Sequence, residues 1–126
     1  MPLRVMIVED EMLLALDLEE MLVDAGHLVV GRATDMTEAV RAAESADGAV
    51  DVAIMDMNLA RGSNGVETAG ILRQRWDIPC LFVSGNLDDA MRTRAEQWEP
   101  IGFVGKPYSE RELLSALEGN QLRSKR

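Results

Sequence analysis

Short apolar runs alternate with amphipathic stretches along the whole chain, and this alternation is the feature that most restricts its fold. Five runs are nearly continuous in apolar residues and rich in Val and Ile, which is typical of strands covered on both faces. These runs are Leu3 to Val8, Leu28 to Val30, Val50 to Met55, Cys80 to Val83 and Ile101 to Val104. Because parallel neighbours need long crossovers, the alternation predicts an α/β fold in which a five-stranded parallel sheet carries helices on both faces.

The stretches between the runs have the periodicity of amphipathic helices. Gly26 and Gly119 are predicted to end the first and the last of them. Helices are predicted over residues 12–25, from Asp35 with Glu38 as a capping box, from Val66 to Trp76, more weakly from Asp88 to Trp98, and from Ser109 with Glu112 as a second capping box.

Length and composition predict one domain over residues 1–121, with a basic tail at 122–126 that is disordered or begins a linker. No apolar run reaches the roughly 18 residues of a membrane span, so no membrane association is expected. The N-terminal residues do not resemble a secretory signal, and the single Cys80 fits a reducing compartment, so the chain is expected to be cytoplasmic. A net charge of −9 argues against direct nucleic-acid binding by this domain.

Polar side chains stand where the predicted strands end, and ligands of open parallel sheets bind at that edge. In chain order they are Glu9 with Asp10, Arg32, Asp56, Ser84 and Lys106. Gathering carboxylates at one edge raises the free energy unless a cation offsets their charge. Oxygen ligands favour Mg²⁺, and His27 and Cys80 are single residues that form no competing cluster of softer ligands. Arg32 is interpreted as a solvated strand-end residue.

Phosphoryl chemistry suits this set of residues. Asp56 follows the most central and most apolar run and is the best candidate for a nucleophile that forms an aspartyl-phosphate. Glu9 and Asp10 would hold the metal, and the backbone carbonyl of Asn58 could supply another ligand. An ammonium and a hydroxyl can satisfy the other phosphoryl oxygens.

These residues resemble the receiver domains of two-component response regulators, over about residues 3 to 119. The resemblance rests on the acidic pair Glu9-Asp10, on Asp56, on Ser84 and on Lys106-Pro107, each at a strand end and in this order. It implies the flavodoxin-like strand order 2-1-3-4-5. It also implies phosphotransfer from a sensor histidine kinase or a histidine phosphotransfer protein, followed by slow self-catalysed dephosphorylation, in a signalling switch rather than an enzyme.

Carried over by position, the resemblance assigns a role to each motif residue. Asp56 is the phosphoacceptor, and Glu9, Asp10, Asp56 and the carbonyl of Asn58 form the Mg²⁺ site. Ser84 moves to hydrogen-bond the phosphoryl group, Lys106 pairs with it, Phe103 is the aromatic that turns inward, and the Lys106-Pro107 bond is cis.

Four features depart from the family pattern. The loop after Asp56 lacks a common proline and is one residue longer before Gly65. Phe103 replaces the commoner tyrosine, Glu99-Pro100 stands where Gly-Ala is usual, and Gly85-Asn86 predicts a polar, flexible loop after Ser84. The Glu99-Pro100 departure predicts a short or irregular fourth helix.

Alternatives remain at this point. A Mg²⁺-dependent phosphatase of the haloacid-dehalogenase type also uses an Asp nucleophile, but it needs a second acid where Asn58 stands. A flavodoxin-like cofactor carrier would need a phosphate loop after the first strand, and none is present in the sequence. The sequence leaves open whether the receiver stands alone or belongs to a larger regulator, and which kinase and which target it has. It also leaves open whether phosphorylation drives dimerisation.

Overall fold

The computed structural model describes residues 2–59, 64–86 and 88–124, which form a five-stranded sheet with helices on both faces. The strands are β1 (Arg4–Val8), β2 (Leu28–Ala33), β3 (Val52–Asp56), β4 (Cys80–Ser84) and β5 (Gly102–Gly105). The helices are α1 (Met12–Asp24), α2 (Met36–Ser45), α3 (Gly65–Trp76), α4 (Asp89–Glu96) and α5 (Glu110–Ser124). All neighbouring strands are parallel, in the order β2-β1-β3-β4-β5, so the predicted fold class and strand order are confirmed.

Alternate residues of β1 point to opposite faces of the sheet and belong to separate apolar clusters. Met6 and Val8 pack with residues of α2, α3 and α4, whereas Val5 and Ile7 pack with residues of α1 and α5. Every residue of β3 and β4 is buried, as their continuous apolar runs predicted. The carboxyl ends of these two central strands are therefore held by packing on both faces.

Cys80 begins β4 inside this core. Burial raises the pKa of its thiol to about 12, so almost no reactive thiolate forms near neutral pH. The interpretation of Cys80 as a small buried apolar residue is confirmed.

The edge strand β2 is longer than its apolar run predicted. The run ends at Val30, but β2 continues to Ala33 after a bulge. Val5 pairs with Val29 while Met6 pairs with Gly31, which leaves Val30 as the extra residue. Sequence periodicity missed the second half of β2 because an edge strand exposes residues that a central strand buries.

Helix ends follow the predicted signals with one exception. α1 ends in a Schellman motif, in which Gly26 has φ +92° and the His27 N–H donates to the Leu22 carbonyl at 2.9 Å. Ser109 and Glu112 form the reciprocal capping box at α5. However, α5 does not end at Gly119 but continues to Ser124.

The capping box at α2 involves a further residue. The Asp35 carboxylate accepts from the Glu38 N–H at 2.9 Å as predicted. The Glu38 carboxylate accepts from the backbone N–H and the hydroxyl of Thr34, both at 2.8 Å. Thr34, immediately before the N-cap, therefore joins the start of α2.

None of the helices in the described part of the chain combines the length and the apolar character that crossing a bilayer requires.

α4 is the shortest helix, and its C-terminal end is anchored on α3. The Trp98 ring lies against the backbone of Gly70, where an added Cβ would come within 2.7 Å of the indole. Arg73 of α3 donates to the carbonyl of Trp98 at 2.9 Å and to the carbonyl of Glu99 at 2.7 Å. Glu99 adopts φ +50°, so these bonds hold the unusual Glu99-Pro100 segment in a left-handed turn. The short fourth helix predicted from this segment is confirmed.

We predict that Gly70→Ala will lower the free energy of unfolding by about 1–2 kcal/mol. The new methyl group must displace the Trp98 ring, and the free energy that this costs exceeds what the higher helix propensity of alanine contributes. Gly119→Ala is the matched control, since no heavy atom lies within 4 Å of a Cβ at this position in α5. That variant should be stabilised by up to about 1 kcal/mol. Urea unfolding monitored by circular dichroism measures both, and equal signs for the two variants would contradict the close packing of Trp98 on Gly70.

Candidate functional site

Asp56 is the last residue of the central strand β3, and its side chain is buried at the carboxyl edge of the sheet. It pairs with Val83 of β4, and the Met57 N–H donates to the Val83 carbonyl at 3.2 Å. β1 lies on the other side of β3. The backbone around Asp56 is thus fixed from both sides, and its carboxylate faces the residues that follow the neighbouring strands.

Three carboxylates meet at this edge, as the sequence predicted. Oxygens of Glu9, Asp10 and Asp56 all lie within 4.8 Å of one another. Glu9 is buried, whereas Asp10 is exposed. Oxygens at this spacing could coordinate one hard divalent cation together with water.

Lys106 joins two of these carboxylates. Its Nζ lies 2.9 Å from Glu9 Oε1 and 3.2 Å from Asp56 Oδ2. Burial by itself lowers the pKa of this ammonium, but the hydrogen bond to Glu9 and the charge of Asp56 outweigh it, so the pKa of Lys106 is raised. The ammonium therefore stays charged, and the Lys106-Pro107 peptide bond that follows it is cis, as the resemblance implied.

Glu9 is the carboxyl group most affected by its surroundings. Burial raises the pKa of Glu9 from 4.5 to about 7, against the opposing hydrogen bonds from Lys106 and the Glu11 N–H. The nearby Asp56 carboxylate contributes to this rise in the pKa of Glu9. One lysine does not compensate the acidic cluster, and a proton on Glu9 reduces the remaining charge.

The backbone of Asn58 also faces the acceptor. Its N–H donates to Asp56 Oδ1 at 3.0 Å, so the two carboxylate oxygens of Asp56 have different partners. Asn58 pairs with Asn64 in an antiparallel bridge that joins the two ends of the longer loop predicted after Asp56. Residues 60–63 of that loop lie outside the described residues.

Ser84 ends β4 and is buried beside the end of β3. Its hydroxyl oxygen accepts from the Asn86 N–H at 3.2 Å, and its carbonyl accepts from the Lys106 N–H at 2.8 Å. The serine hydroxyl is therefore held by the loop that leads to α4.

Phe103 lies between an aromatic ring and a cation. Its ring stacks on Phe82 with centroids 5.6 Å apart, and the Arg92 guanidinium of α4 lies 4.6 Å from its centroid. Sequence reasoning missed Arg92, because an arginine on a weakly predicted helix carries no signal of its own.

Arg32 shares the carboxyl edge but pairs with a residue outside the acidic cluster. Its guanidinium pairs with Glu19 of α1 at 3.2 Å, and about half of its side chain is exposed. It is therefore not part of the group formed by Glu9, Asp10, Asp56 and Lys106.

Comparison with known proteins identifies the family that shares this arrangement. The sequence matches the family described as "Response regulator receiver domain" over residues 5–118. Among solved structures, the signal receiver domain of a modulated diguanylate cyclase from Desulfovibrio desulfuricans G20 is 31% identical, with a TM-score of 0.88. That match covers 99% of this chain and 98% of the other.

Two curated relatives are response regulators of similar sequence. The phyllosphere-induced regulator PhyR of Methylorubrum extorquens is 32% identical over 86% of this chain, and the match covers 39% of PhyR. The transcriptional regulatory protein PdtaR of Mycobacterium tuberculosis is 33% identical over 93% of this chain and 56% of PdtaR. The chain thus spans about half or less of the length of these relatives.

The alternative of a haloacid-dehalogenase phosphatase gains no support. Asn58 stands where that mechanism needs an acid, and Asp56 follows β3 rather than the first strand in the chain. The family match covers the same residues with a receiver domain.

We predict that Glu9→Gln will change how stability depends on pH in protein freed of metal with EDTA. Since the folded pKa of about 7 exceeds the ordinary 4.5, Glu9 contributes stability below about pH 4.5 that is lost as the pH rises to about 7. The wild type should therefore lose on the order of 2 kcal/mol relative to Glu9→Gln across this range. Denaturant unfolding at several pH values measures this loss of stability. Glu20→Gln, at an exposed position of α1, is the control. Parallel pH profiles for the wild type and Glu9→Gln would contradict the raised pKa.

Proposed function

The chain belongs to the receiver domains of response regulators, and we propose that it is a phosphorylation-driven switch in which Asp56 accepts a phosphoryl group beside Mg²⁺. The observation that carries this proposal is the environment of the Asp56 carboxylate. Lys106 holds one oxygen and the Asn58 N–H holds the other, next to two further acids. A buried carboxylate held in this way is suited to act as an oriented nucleophile.

The Mg²⁺ site would consist of Glu9, Asp10, Asp56 and the backbone carbonyl of Asn58. The residues fit a hard cation, because their carboxylate oxygens lie within 4.8 Å of one another. The single positive charge of Lys106 does not neutralise the three carboxylates. Bound there, Mg²⁺ would neutralise charge on the phosphoryl oxygens and orient them for transfer.

The donor would be the phosphohistidine of a sensor kinase or of a phosphotransfer protein. An Asp56 oxygen forms a bond to phosphorus while the bond from phosphorus to the histidine nitrogen breaks, and the leaving imidazole takes up a proton from solvent. Lys106 then shifts one hydrogen bond from Asp56 to a phosphoryl oxygen. It can do so because its ammonium lies next to the Asp56 carboxylate before transfer. Slow attack of water on the aspartyl-phosphate returns the carboxylate and inorganic phosphate.

Ser84 and Phe103 would report the phosphoryl group to the surface. The Ser84 hydroxyl would leave the Asn86 N–H and hydrogen-bond a phosphoryl oxygen. Phe103 would then turn inward along Phe82, its present stacking partner, and away from Arg92. Phosphorylation acts in this proposal by favouring one of two packings of the same residues.

We predict that acetyl phosphate with Mg²⁺ will add one phosphoryl group to the wild type and none to Asp56→Asn, because an amide lacks the nucleophilic oxygen. Intact-mass spectrometry detects the product. Asp24→Asn, an exposed position at the end of α1, should be labelled like the wild type. Equal labelling of wild type and Asp56→Asn would refute the acceptor.

We also predict that Mg²⁺ will raise the melting temperature of the wild type and much less that of Asp10→Asn. A cation that binds only the folded state at about 100 times its Kd adds about 2.7 kcal/mol to the free energy of unfolding. Differential scanning fluorimetry in a Mg²⁺ titration measures this shift, with Na⁺ at equal ionic strength as the control. Identical Mg²⁺ shifts in the two proteins would refute Asp10 as a ligand.

A further inference from the structure

The loop after the acceptor is closed by two asparagines. Asn58 and Asn64 pair in an isolated antiparallel bridge, immediately before α3 begins at Gly65. The bridge lies outside the named strands. On the side of Asn58 it follows Met57, whose N–H donates to Val83 of β4, so its geometry depends further on what fixes Asn64.

The pairing runs through the residues that flank Asn58. The Gly65 N–H donates to the Met57 carbonyl at 3.0 Å, while the N–H of Asn58 donates to Asp56 Oδ1. In extended backbone the N–H and C=O of one residue point to the same side. The bridge thus turns both polar groups of Asn58 away from Asn64, and the N–H points to the acceptor.

Asn64 is held in place by its own side chain. Its Oδ1 accepts from the N–H groups of Val66 at 2.7 Å and Glu67 at 3.3 Å, which makes it the N-cap of α3. Its carbonyl accepts from the N–H and the hydroxyl of Thr68, at 3.0 and 2.9 Å, and Thr68 is fully buried. The residue that pairs with Asn58 is therefore locked to the first turn of α3.

The first turn of α3 also presses directly on the acceptor backbone. A Cβ at Gly65 would lie 2.0 Å from the Asp56 carbonyl oxygen and 2.7 Å from the Met57 Cα. Only glycine permits this contact. A change in the start of α3 therefore reaches Asp56 through Gly65 and Asn58 through the bridge.

We propose that Asn64 is a positioning residue for the acceptor site, whose side-chain cap orients the backbone of Asn58 toward Asp56. The role in phosphorylation rests on the proposed function, whereas the orientation of Asn58 is a property of the protein without phosphate or metal. Asn64→Ala removes the acceptor oxygen, and Asn64→Asp restores it. Ser109→Ala is the matched control, because it removes a neutral N-cap of α5 that has no contact with Asn58.

The first readout is hydrogen exchange of the Asn58 amide in metal-free protein, followed by NMR. We expect the Asn58 amide to exchange about tenfold faster in Asn64→Ala than in the wild type, beyond any effect of a change in global stability. Asn64→Asp and Ser109→Ala should exchange at the wild-type rate. Unchanged Asn58 exchange in Asn64→Ala, or no restoration by Asn64→Asp, would overturn the proposal. If Asn64→Ala does not fold, Asn64→Gly provides the same comparison, since glycine is tolerated as an N-cap without a side-chain acceptor.

The second readout is Mg²⁺ affinity by calorimetry, which should fall about tenfold in Asn64→Ala and stay unchanged in Ser109→Ala. Equal affinities in these two variants would overturn the role of Asn64 toward the cation. A wild type that neither binds Mg²⁺ nor reacts with acetyl phosphate refutes the proposed function instead. The exchange experiment still decides the orientation of Asn58 in that case.

Discussion

The ion pairs of Lys106 with Glu9 and Asp56 are the interaction on which the site depends. Two carboxylates are buried at one edge of the sheet beside an exposed third. Among the described residues, the ammonium of Lys106 forms the ion pairs with the two buried ones, at 2.9 and 3.2 Å. One positive charge does not offset three negative ones. The balance is met by a proton on Glu9, whose pKa burial raises to about 7, or by a bound cation. Protonation of Glu9 and binding of a cation are therefore alternative ways to reduce the same excess of negative charge.

The fold holds these like charges together by fixing the backbone around them. β3 is buried on both faces, and its neighbours deliver Glu9 and Ser84 to the same edge, with Lys106 directly after β5. The start of α3 closes the site from the other side, because Gly65 contacts the Asp56 carbonyl region and Asn64 pairs with Asn58. Acidic side chains that repel one another stay together here because the strands that position them cannot separate without opening the core.

The sequence predicted those features that rest on local patterns or on chain order. Continuous apolar runs located β3 and β4, and the rule for parallel sheets brought Glu9, Asp56 and Lys106 to one edge. The resemblance supplied the strand order and the cis bond before Pro107. Features that depend on tertiary closure were missed. The bulge at Val30, the Asn58–Asn64 bridge and the bond from Thr34 to Glu38 each depend on which backbone groups the fold brings together.

The partners of long side chains on helices were equally beyond prediction. The sequence marked Glu99-Pro100 as unusual, but it could not show that Arg73, on another helix, would donate to the carbonyls of Trp98 and Glu99. Nor could it place Arg92 over Phe103. Both arginines can reach several partners from a helix surface, and only the position of the neighbouring helix selects one of them.

The contacts of α4 differ in strength between its two ends. At the C-terminal end, fully buried Ala95, the Trp98 ring and two hydrogen bonds from Arg73 hold the helix to α3. Nearer the N-terminal end, partly buried Met91 packs on the core and half-exposed Arg92 lies over Phe103, and an exposed cation–π pair contributes only about 0.5–1 kcal/mol. Under the proposed function, inward rotation of Phe103 would cost the weak contact with Arg92 and leave the C-terminal end in place. Displacement of α4 would then begin at the end nearest Ser84, the residue that the phosphoryl group recruits.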